Sequence, residues 1–191
     1  MELSVWRIHR RIGMSGGLFV NALLRETGAK LSAEDTNRLR SQHAEAFVRR
    51  LGEVRPLPGA RELLGRLTRL RVPWAIATSG SPPTAGPSIA LLEVDPPVVI
   101  TRDDVAHAKP DPDLFIAAAD RLGVDILQSI VVGDSVWDLL AAQRARSLGV
   151  GVLSGGYGRE ELEQAGAYRV YEDPADLLVH LDEIGVRDST S

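Results

Sequence analysis

The stretch IVVGDSVWD at residues 130–138 decides how this chain folds. Its first three residues are β-branched and apolar, which is typical of a strand that is buried on both faces. Gly133 and Asp134 end the predicted strand, and the spacing of apolar residues predicts a helix over 137–148. A buried strand that passes through a polar turn into a helix is the repeating unit of a parallel α/β sheet.

The same alternation of short strands and helices continues on both sides of this unit. Further strands are predicted at residues 74–77, 98–100, 150–153 and 168–171, and helices at 60–71, 112–122, 160–165 and 173–184. The alternation predicts the α/β class, with a Rossmann-like parallel sheet covered on both faces.

The residues before the proline-rich linker RPLPG at 55–59 are different, because they show helical spacing only. Helices are predicted at 5–12, 18–27 and 32–51, and Ser32 is the expected N-cap of the third. Leu39, Ala46, Phe47 and Leu51 mark its expected buried side. We therefore divide the chain into a helical segment at 1–54 and an α/β core at 55–191.

Composition narrows the class of protein. The chain has 191 residues, a formal net charge of −4 and no cysteine, so disulfides and thiolate metal sites are excluded. It has no isolated basic block, which argues against a nucleic-acid partner. It also has no apolar run long enough to span a bilayer and no secretory signal pattern, so we expect a cytoplasmic protein without a membrane partner.

Polar residues cluster where the predicted strands end, which is where open parallel sheets bind ligands. Hydroxyl and backbone N–H groups of Thr78, Ser79 and Gly80 suit phosphate oxygens. The ammonium of Lys109 suits the charge that develops during phosphoryl transfer. Asp134 suits Mg²⁺, and Asp138, one helical turn later, suits a metal-bound water or Lys109.

Each residue also has an ordinary structural interpretation. Thr78, Ser79 and Asp134 are residue types that cap helices, and Asp138 suits the first turn of a helix as an ordinary acid. An isolated lysine is usually a surface residue. Asp111 and Asp113 are more typical of turn and cap chemistry than of a catalytic pair. Only the joint placement of the polar residues at the ends of three strands favours a site.

Three segments in this order resemble a known family: AIATSG at 75–80, KPDPDLF at 109–115 and VGDSVWD at 132–138. They are similar to the second, third and fourth motifs of the haloacid dehalogenase superfamily, in the subgroup of phosphoglycolate phosphatases and β-phosphoglucomutases. The resemblance implies a Mg²⁺-dependent hydrolase that acts on a small phosphorylated metabolite. It implies phosphate contacts from Thr78 and Lys109, a metal ligand at Asp134 and support of the metal site by Asp138.

The resemblance extends to the helical segment. Residues 6–14, WRIHRRIGM, are similar to the cap segment that leans over the active site in this superfamily. Arg10 and Arg11 are thereby substrate-contact candidates, although paired arginines more often form a solvated helix face.

One element of the family is missing from the sequence. The family's first motif is an apolar strand that ends in Asp-x-Asp, whose first aspartate attacks phosphorus. No segment before Thr78 has this form. By the resemblance, the missing strand lies at the centre of the sheet, so we expect either a fragment of a longer protein or a sheet that has closed over the gap.

Three functions remain open at this stage. The first is a phosphatase that hydrolyses phosphomonoesters through an aspartyl-phosphate in its complete form, with weak or no activity in this chain. The second is a non-catalytic protein that binds phosphate and metal. The third is a sugar phosphomutase. The motifs specify neither the substrate nor the oligomeric state.

Overall fold

Five short strands form two parallel sheets. A computed structural model describes residues 5–14, 25, 28 and 32–187. One sheet pairs β1 (Ile76–Ala77) with β2 (Val99–Ile100), and the other has the order β3 (Ile130–Gly133), β4 (Leu148–Val152), β5 (Ala167–Tyr171). All neighbouring strands run parallel. The predicted α/β class and parallel sheet are confirmed.

Helices alternate with these strands. Within the described residues they are α1 (Val5–His9), α2 (Ala33–Arg50), α3 (Ala60–Arg69), α4 (Pro82–Ala90), α5 (Asp113–Leu122), α6 (Val136–Ala145), α7 (Arg159–Gln164) and α8 (Pro174–Val179). Apart from Arg25, the helix predicted at 18–27 lies outside the described residues. The others match the predicted positions within a few residues, but the helix predicted over 137–148 ends at Ala145, because Leu148 already belongs to β4, and α4 was not predicted.

Helix α4 lacks the usual helical signals because it contains three prolines and a glycine. Two of the prolines occupy its first turn, where a missing N–H costs no helical hydrogen bond. Pro87 lies inside the helix, and Ala85 is its buried residue. Tertiary packing therefore maintains a helix that the sequence pattern alone presents as a turn.

The core consists of apolar layers on both faces of the sheets. On one face, Phe115 of α5 and Ala141 and Ala142 of α6 pack with Val131 of β3. On the other face, Leu63 of α3 and Leu177 of α8 pack with residues of β4 and β5. These layers bury residues Gly149–Val152 of β4, while Leu148 at its start is exposed.

The two sheets are not joined by hydrogen bonds between strands. The first sheet ends at β1 and the second at β3. Among the described residues β1 and β3 therefore do not pair with each other. Val132 of β3 remains 46% exposed, which is unusual for a β-branched residue in a strand of a parallel sheet.

Helix α2 begins at Ser32 as predicted, and the Ser32 hydroxyl accepts a hydrogen bond from the Asp35 N–H at 3.0 Å. Its expected buried side is only partly covered, however: Phe47 and Leu51 are half-buried. Leu39 is 41% exposed and Ala46 is exposed, because α2 contacts the core mainly at α4.

The residues around α1 pack against the core. The His9 ring lies 5.5 Å from the Tyr157 ring, between centroids, and Arg10 pairs with Glu161 at 3.0 Å. None of the described helices is both long and apolar enough to cross a membrane.

Candidate active site

A buried ion pair lies at the centre of the candidate site. The Lys109 Nζ donates to Asp138 Oδ1 at 2.6 Å, and the two side chains are only 11% and 7% exposed. Charges are placed in such an environment only when they are paired, because desolvation of a single ion costs several kcal/mol. The ordinary interpretation of Lys109 as a surface lysine is therefore wrong.

The local sequence fixes the position of Asp138 through a capping box at the start of α6. The Ser135 N–H and hydroxyl both donate to Asp138 Oδ2, at 3.2 and 2.5 Å. In return, the Asp138 N–H donates to the Ser135 hydroxyl at 3.4 Å. Asp138 is thus both a helix cap and the partner of Lys109, so the structural and functional interpretations are compatible.

Glycine at position 133 allows this helix start to lie close to the end of β3. A Cβ atom at Gly133 would overlap the Asp138 side chain. A larger residue would therefore push Asp138 away from Lys109. Gly155 plays the same part beside Asp134, because a Cβ atom there would meet Asp134 Cγ at 2.8 Å.

Asp134 is the carboxylate that the site leaves available for a cation. Burial raises the pKa of Asp134 above its ordinary value, and repulsion by Asp138 adds to this effect, while Lys109 opposes it. Among the described residues Asp134 forms no ion pair. A cation at Asp134 would relieve the repulsion, so the surroundings of this residue suit a divalent metal.

The two acids are not equivalent as metal ligands. Both oxygens of Asp138 already accept hydrogen bonds, from Lys109 and from Ser135. No group of three or more acidic or histidine side chains with metal-binding geometry occurs in the described part of the chain. The geometry therefore favours Asp134 over Asp138 for direct metal contact, with waters and phosphate oxygens supplying the remaining ligands.

The turn after β1 supplies hydroxyl and amide groups. The Thr78 hydroxyl accepts from the Gly80 N–H at 3.1 Å, which fixes the turn. The Ser79 hydroxyl is buried and has no hydrogen-bond partner among the described residues. A buried hydroxyl without a partner is costly, so this group needs a ligand or water to accept from it or donate to it.

The strand before this turn shares apolar clusters with the segments that precede Lys109 and Asp134. Ala77, directly before Thr78, packs in the apolar cluster that contains Ala108, directly before Lys109. Ala77 also packs in the cluster of Val131, three residues before Asp134. Contact of the Thr78–Gly80 turn with Lys109 and Asp134 stays a prediction.

The predicted substrate residues Arg10 and Arg11 lie beside this end of the core. Arg10 pairs with Glu161 of α7, and the residue after Arg11, Ile12, accepts a hydrogen bond from the Tyr157 hydroxyl at 3.4 Å. Gly13 lies against Ser135. These contacts place residues 5–14, the α1 segment, next to the site. A substrate contact by either arginine stays a prediction.

Several residues that shape the site were missed by sequence reasoning. Ser135, Gly155 and Tyr157 are common residue types, so only their contacts reveal their role. Ser135 contacts Asp138, Gly155 lies against Asp134, and Tyr157 contacts the residues around α1. The S-x-x-D spacing of Ser135 and Asp138 is the one signal that could have indicated a capping box.

The other acids near the site have structural roles. The Asp104 carboxylate accepts a hydrogen bond from the Thr101 N–H at 2.8 Å and so caps this turn. Asp111 pairs with Arg144 at 3.2 Å, and Asp113 accepts a hydrogen bond from the His107 N–H. This agrees with the turn and cap interpretation of Asp111 and Asp113.

Comparison with known protein families gives an independent result. The sequence model described as a haloacid dehalogenase-like hydrolase matches residues 4–146. Phosphoglycolate phosphatase from Rhodospirillum rubrum is 39% identical over 125 residues, which cover 63% of this chain and 50% of that protein. Hexitol phosphatase A from Escherichia coli is 35% identical, over 61% of this chain and 52% of that protein. The chain spans about half the length of these curated relatives.

Solved structures agree with the fold. A hydrolase from Pseudomonas syringae has a TM-score of 0.93 and 52% identity, covering 96% of this chain and 85% of that one. A β-phosphoglucomutase from Clostridium difficile has a TM-score of 0.82, covering 96% and 82%, but only 18% identity. The second match shows a shared fold and nothing further.

Proposed function

Because the chain belongs to the haloacid dehalogenase-like hydrolase family, we propose that its site is the phosphate- and metal-binding part of a Mg²⁺-dependent phosphomonoesterase. The observation that carries the proposal is the buried Lys109–Asp138 pair beside Asp134. A lysine fixed in this way offers its remaining N–H groups to an anion, while Asp138 keeps it charged and in place.

Each residue has a defined part in this proposal. Thr78, Ser79 and Gly80 bind phosphate oxygens through hydroxyl and amide groups, and the buried Ser79 hydroxyl gains a partner. Lys109 neutralises charge on the phosphoryl group. Asp134 would hold Mg²⁺, which supplies electrostatic stabilisation of the transferring phosphoryl group when bound.

The complete reaction also requires a substrate and a nucleophile. Relatives named as phosphatases of phosphoglycolate and hexitol phosphate favour a small phosphorylated metabolite as substrate. We propose that the complete protein forms an aspartyl-phosphate on a carboxylate that is not among the residues of this site. Arg10 and Arg11 then contact the part of the substrate that is distant from phosphorus.

Titration with Mg²⁺ in the presence of inorganic phosphate tests the metal site, with binding measured by isothermal calorimetry. We expect weak binding by the wild-type chain and binding at least about 10-fold weaker by Asp134→Asn, since a neutral amide loses the charge interaction. Asp111→Asn, which changes a carboxylate in an exposed ion pair, is the matched control and should bind like wild type. Equal binding by Asp134→Asn and wild type would contradict the proposal.

The second candidate is a non-catalytic protein that binds phosphate and metal. Such a protein would keep the phosphate- and metal-binding groups of Thr78, Lys109 and Asp134 without a nucleophile. Turnover of p-nitrophenyl phosphate separates the two: activity above that of Lys109→Ala supports an enzyme with another nucleophile. Genomic sequence upstream of Met1 gives a second test, because an in-frame Asp-x-Asp-Gly-Thr would favour the phosphatase.

A further inference from the structure

Helix α6 holds the segment after Lys109 through an exposed arginine. Arg144 donates through Nη1 to the Pro110 carbonyl at 3.0 Å, and the same nitrogen pairs with Asp111 Oδ1 at 3.2 Å. These partners are 34 and 33 positions apart in the sequence, so the contacts are tertiary. A guanidinium that binds a carbonyl and a neighbouring carboxylate at once fixes the direction of the backbone between them.

Lys109 itself lies in a tight turn, so its position depends on how the two ends of that turn are held. The Asp111 N–H donates to the Ala108 carbonyl at 3.2 Å, which closes the turn. Lys109 and Pro110 are its two central residues. Ala108 is 2% exposed and anchors the start of the turn in the core, while Arg144 anchors its end.

Helix α6 provides a rigid base for its contacts with this turn. Ala141, Ala142 and Ala145 are buried in the core, so a shift of the helix would disrupt close packing. Asp138 lies in the first turn of α6 and Arg144 in its last, about 9 Å apart along the helix axis. The helix therefore binds the ammonium of Lys109 near its own start and the backbone of the turn near its own end.

The phosphate contact proposed for Lys109 depends on the direction of a long side chain. Asp138 fixes one end of this side chain, the ammonium, at 2.6 Å. A flexible four-carbon stem separates the ammonium from the backbone, so the same ion pair can form with the turn in several positions. A contact with the turn itself limits these positions, and Arg144 supplies one.

We propose that Arg144 is a positioning residue for Lys109: by holding the Pro110 carbonyl, it keeps the ammonium directed at the phosphate group. This inference rests on the proposed phosphate contact of Lys109. The Arg144 side chain is 51% exposed and paired with Asp111, so its charge is largely neutralised and screened. We therefore assign Arg144 no direct contact with the substrate.

A purely structural role for Arg144 predicts a different result. Exposed ion pairs contribute little to global stability, so the loss of Arg144 should cost the fold little. Its effect is expected at Lys109 instead, in two properties that a denaturation curve does not report. These are the access of reagents to the ammonium and the affinity of the site for phosphate.

Acetylation of lysine by acetic anhydride measures the first property. The sequence contains only two lysines, Lys30 and Lys109, so peptide mass spectrometry follows each one separately and Lys30 serves as the internal reference. We expect Arg144→Ala to raise the acetylation rate of Lys109 about 3- to 10-fold relative to Lys30, because the hydrogen bonds that restrain the turn are lost.

Isothermal calorimetry with inorganic phosphate in the presence of Mg²⁺ measures the second property. Arg144→Ala should bind phosphate about 3- to 10-fold more weakly than wild type, since the ammonium is no longer held in one direction. Arg144→Lys keeps an N–H donor on a long side chain for the Pro110 carbonyl. It should recover at least about half of the loss in both measurements.

Two variants separate this role from general effects of charge and stability. Arg49→Ala removes another exposed helical arginine and its ion pair within α2. Asp111→Asn weakens the ion pair of Arg144 but keeps the bond to the Pro110 carbonyl. Both should leave the acetylation of Lys109 and the phosphate affinity within about 2-fold of wild type, and all variants should unfold at similar urea concentrations.

Three results would overturn the inference. They are unchanged acetylation of Lys109 in Arg144→Ala, an equal increase in Arg49→Ala, and a raised acetylation rate with unchanged phosphate affinity. Absence of phosphate binding by the wild-type chain would count against the proposed function instead. A raised acetylation rate in Arg144→Ala would then still support the placement of Lys109 by Arg144.

Discussion

At the scale of single residues, the site depends on a buried ammonium group, which is shielded from water. Lys109 is 8% exposed and its ammonium is compensated by Asp138. Asp138 in turn accepts two hydrogen bonds from Ser135, so its carboxylate is held from both sides. Removing its charge therefore affects stability as well as the site.

Asp138→Asn should destabilise the chain by roughly 3–5 kcal/mol, because it leaves Lys109 buried and unpaired. The matched control is Asp111→Asn, which weakens an exposed pair with Arg144 and should cost about 0.2–1 kcal/mol. Urea denaturation of both variants measures the difference. A similar cost for both would show that Lys109 does not depend on Asp138.

At the scale of elements, the turn from β3 into α6 combines a strand end, a helix cap and the site. Its geometry requires a residue without a side chain at Gly133, since a Cβ atom would overlap Asp138. The requirement is steric and does not depend on a positive φ angle.

Gly133→Ala should destabilise the chain by about 1–3 kcal/mol through overpacking, and should weaken Mg²⁺ binding as Asp138 and Asp134 move. Gly86→Ala is the control: it lies in α4 with open space around the new methyl group, so it should be neutral or stabilise the chain by up to about 1 kcal/mol. Thermal unfolding of the two variants measures this difference in stability. Equal stability of the two variants would indicate that α6 shifts to make room for the methyl group at position 133.

At the scale of the whole molecule, the α1 segment is attached to the core beside the site. His9 and Tyr157 are in ring contact, and Gly156 leaves room for the imidazole, because a Cβ atom there would lie 2.6 Å from His9 Nε2. Gly156 has a φ of +82°, a conformation that also favours glycine.

His9→Ala should release this segment more often and increase tryptic cleavage after Arg10 and Arg11 by about 2- to 12-fold, as expected for losing a ring contact of roughly 0.5–1.5 kcal/mol. Val5→Ala provides the control, because Val5 is 81% exposed. Unchanged cleavage of the His9 variant would mean that the ring contact does not hold the segment.

The sequence by itself determined the elements and the residues at their ends. Periodicity predicted β3 and α5, the spacing of Ser32 and Asp35 suited a helix start, and polar residues after three strands predicted the site. These are local properties, which depend on neighbours within a few residues along the chain.

Only the tertiary structure decided how these parts meet. It joined Lys109 to Asp138 across 29 positions, held α4 together despite its prolines, and left β1 and β3 in separate sheets. The physical reason is that desolvation, packing and strand pairing act between residues that are distant in sequence. No local pattern states which of these residues will become neighbours.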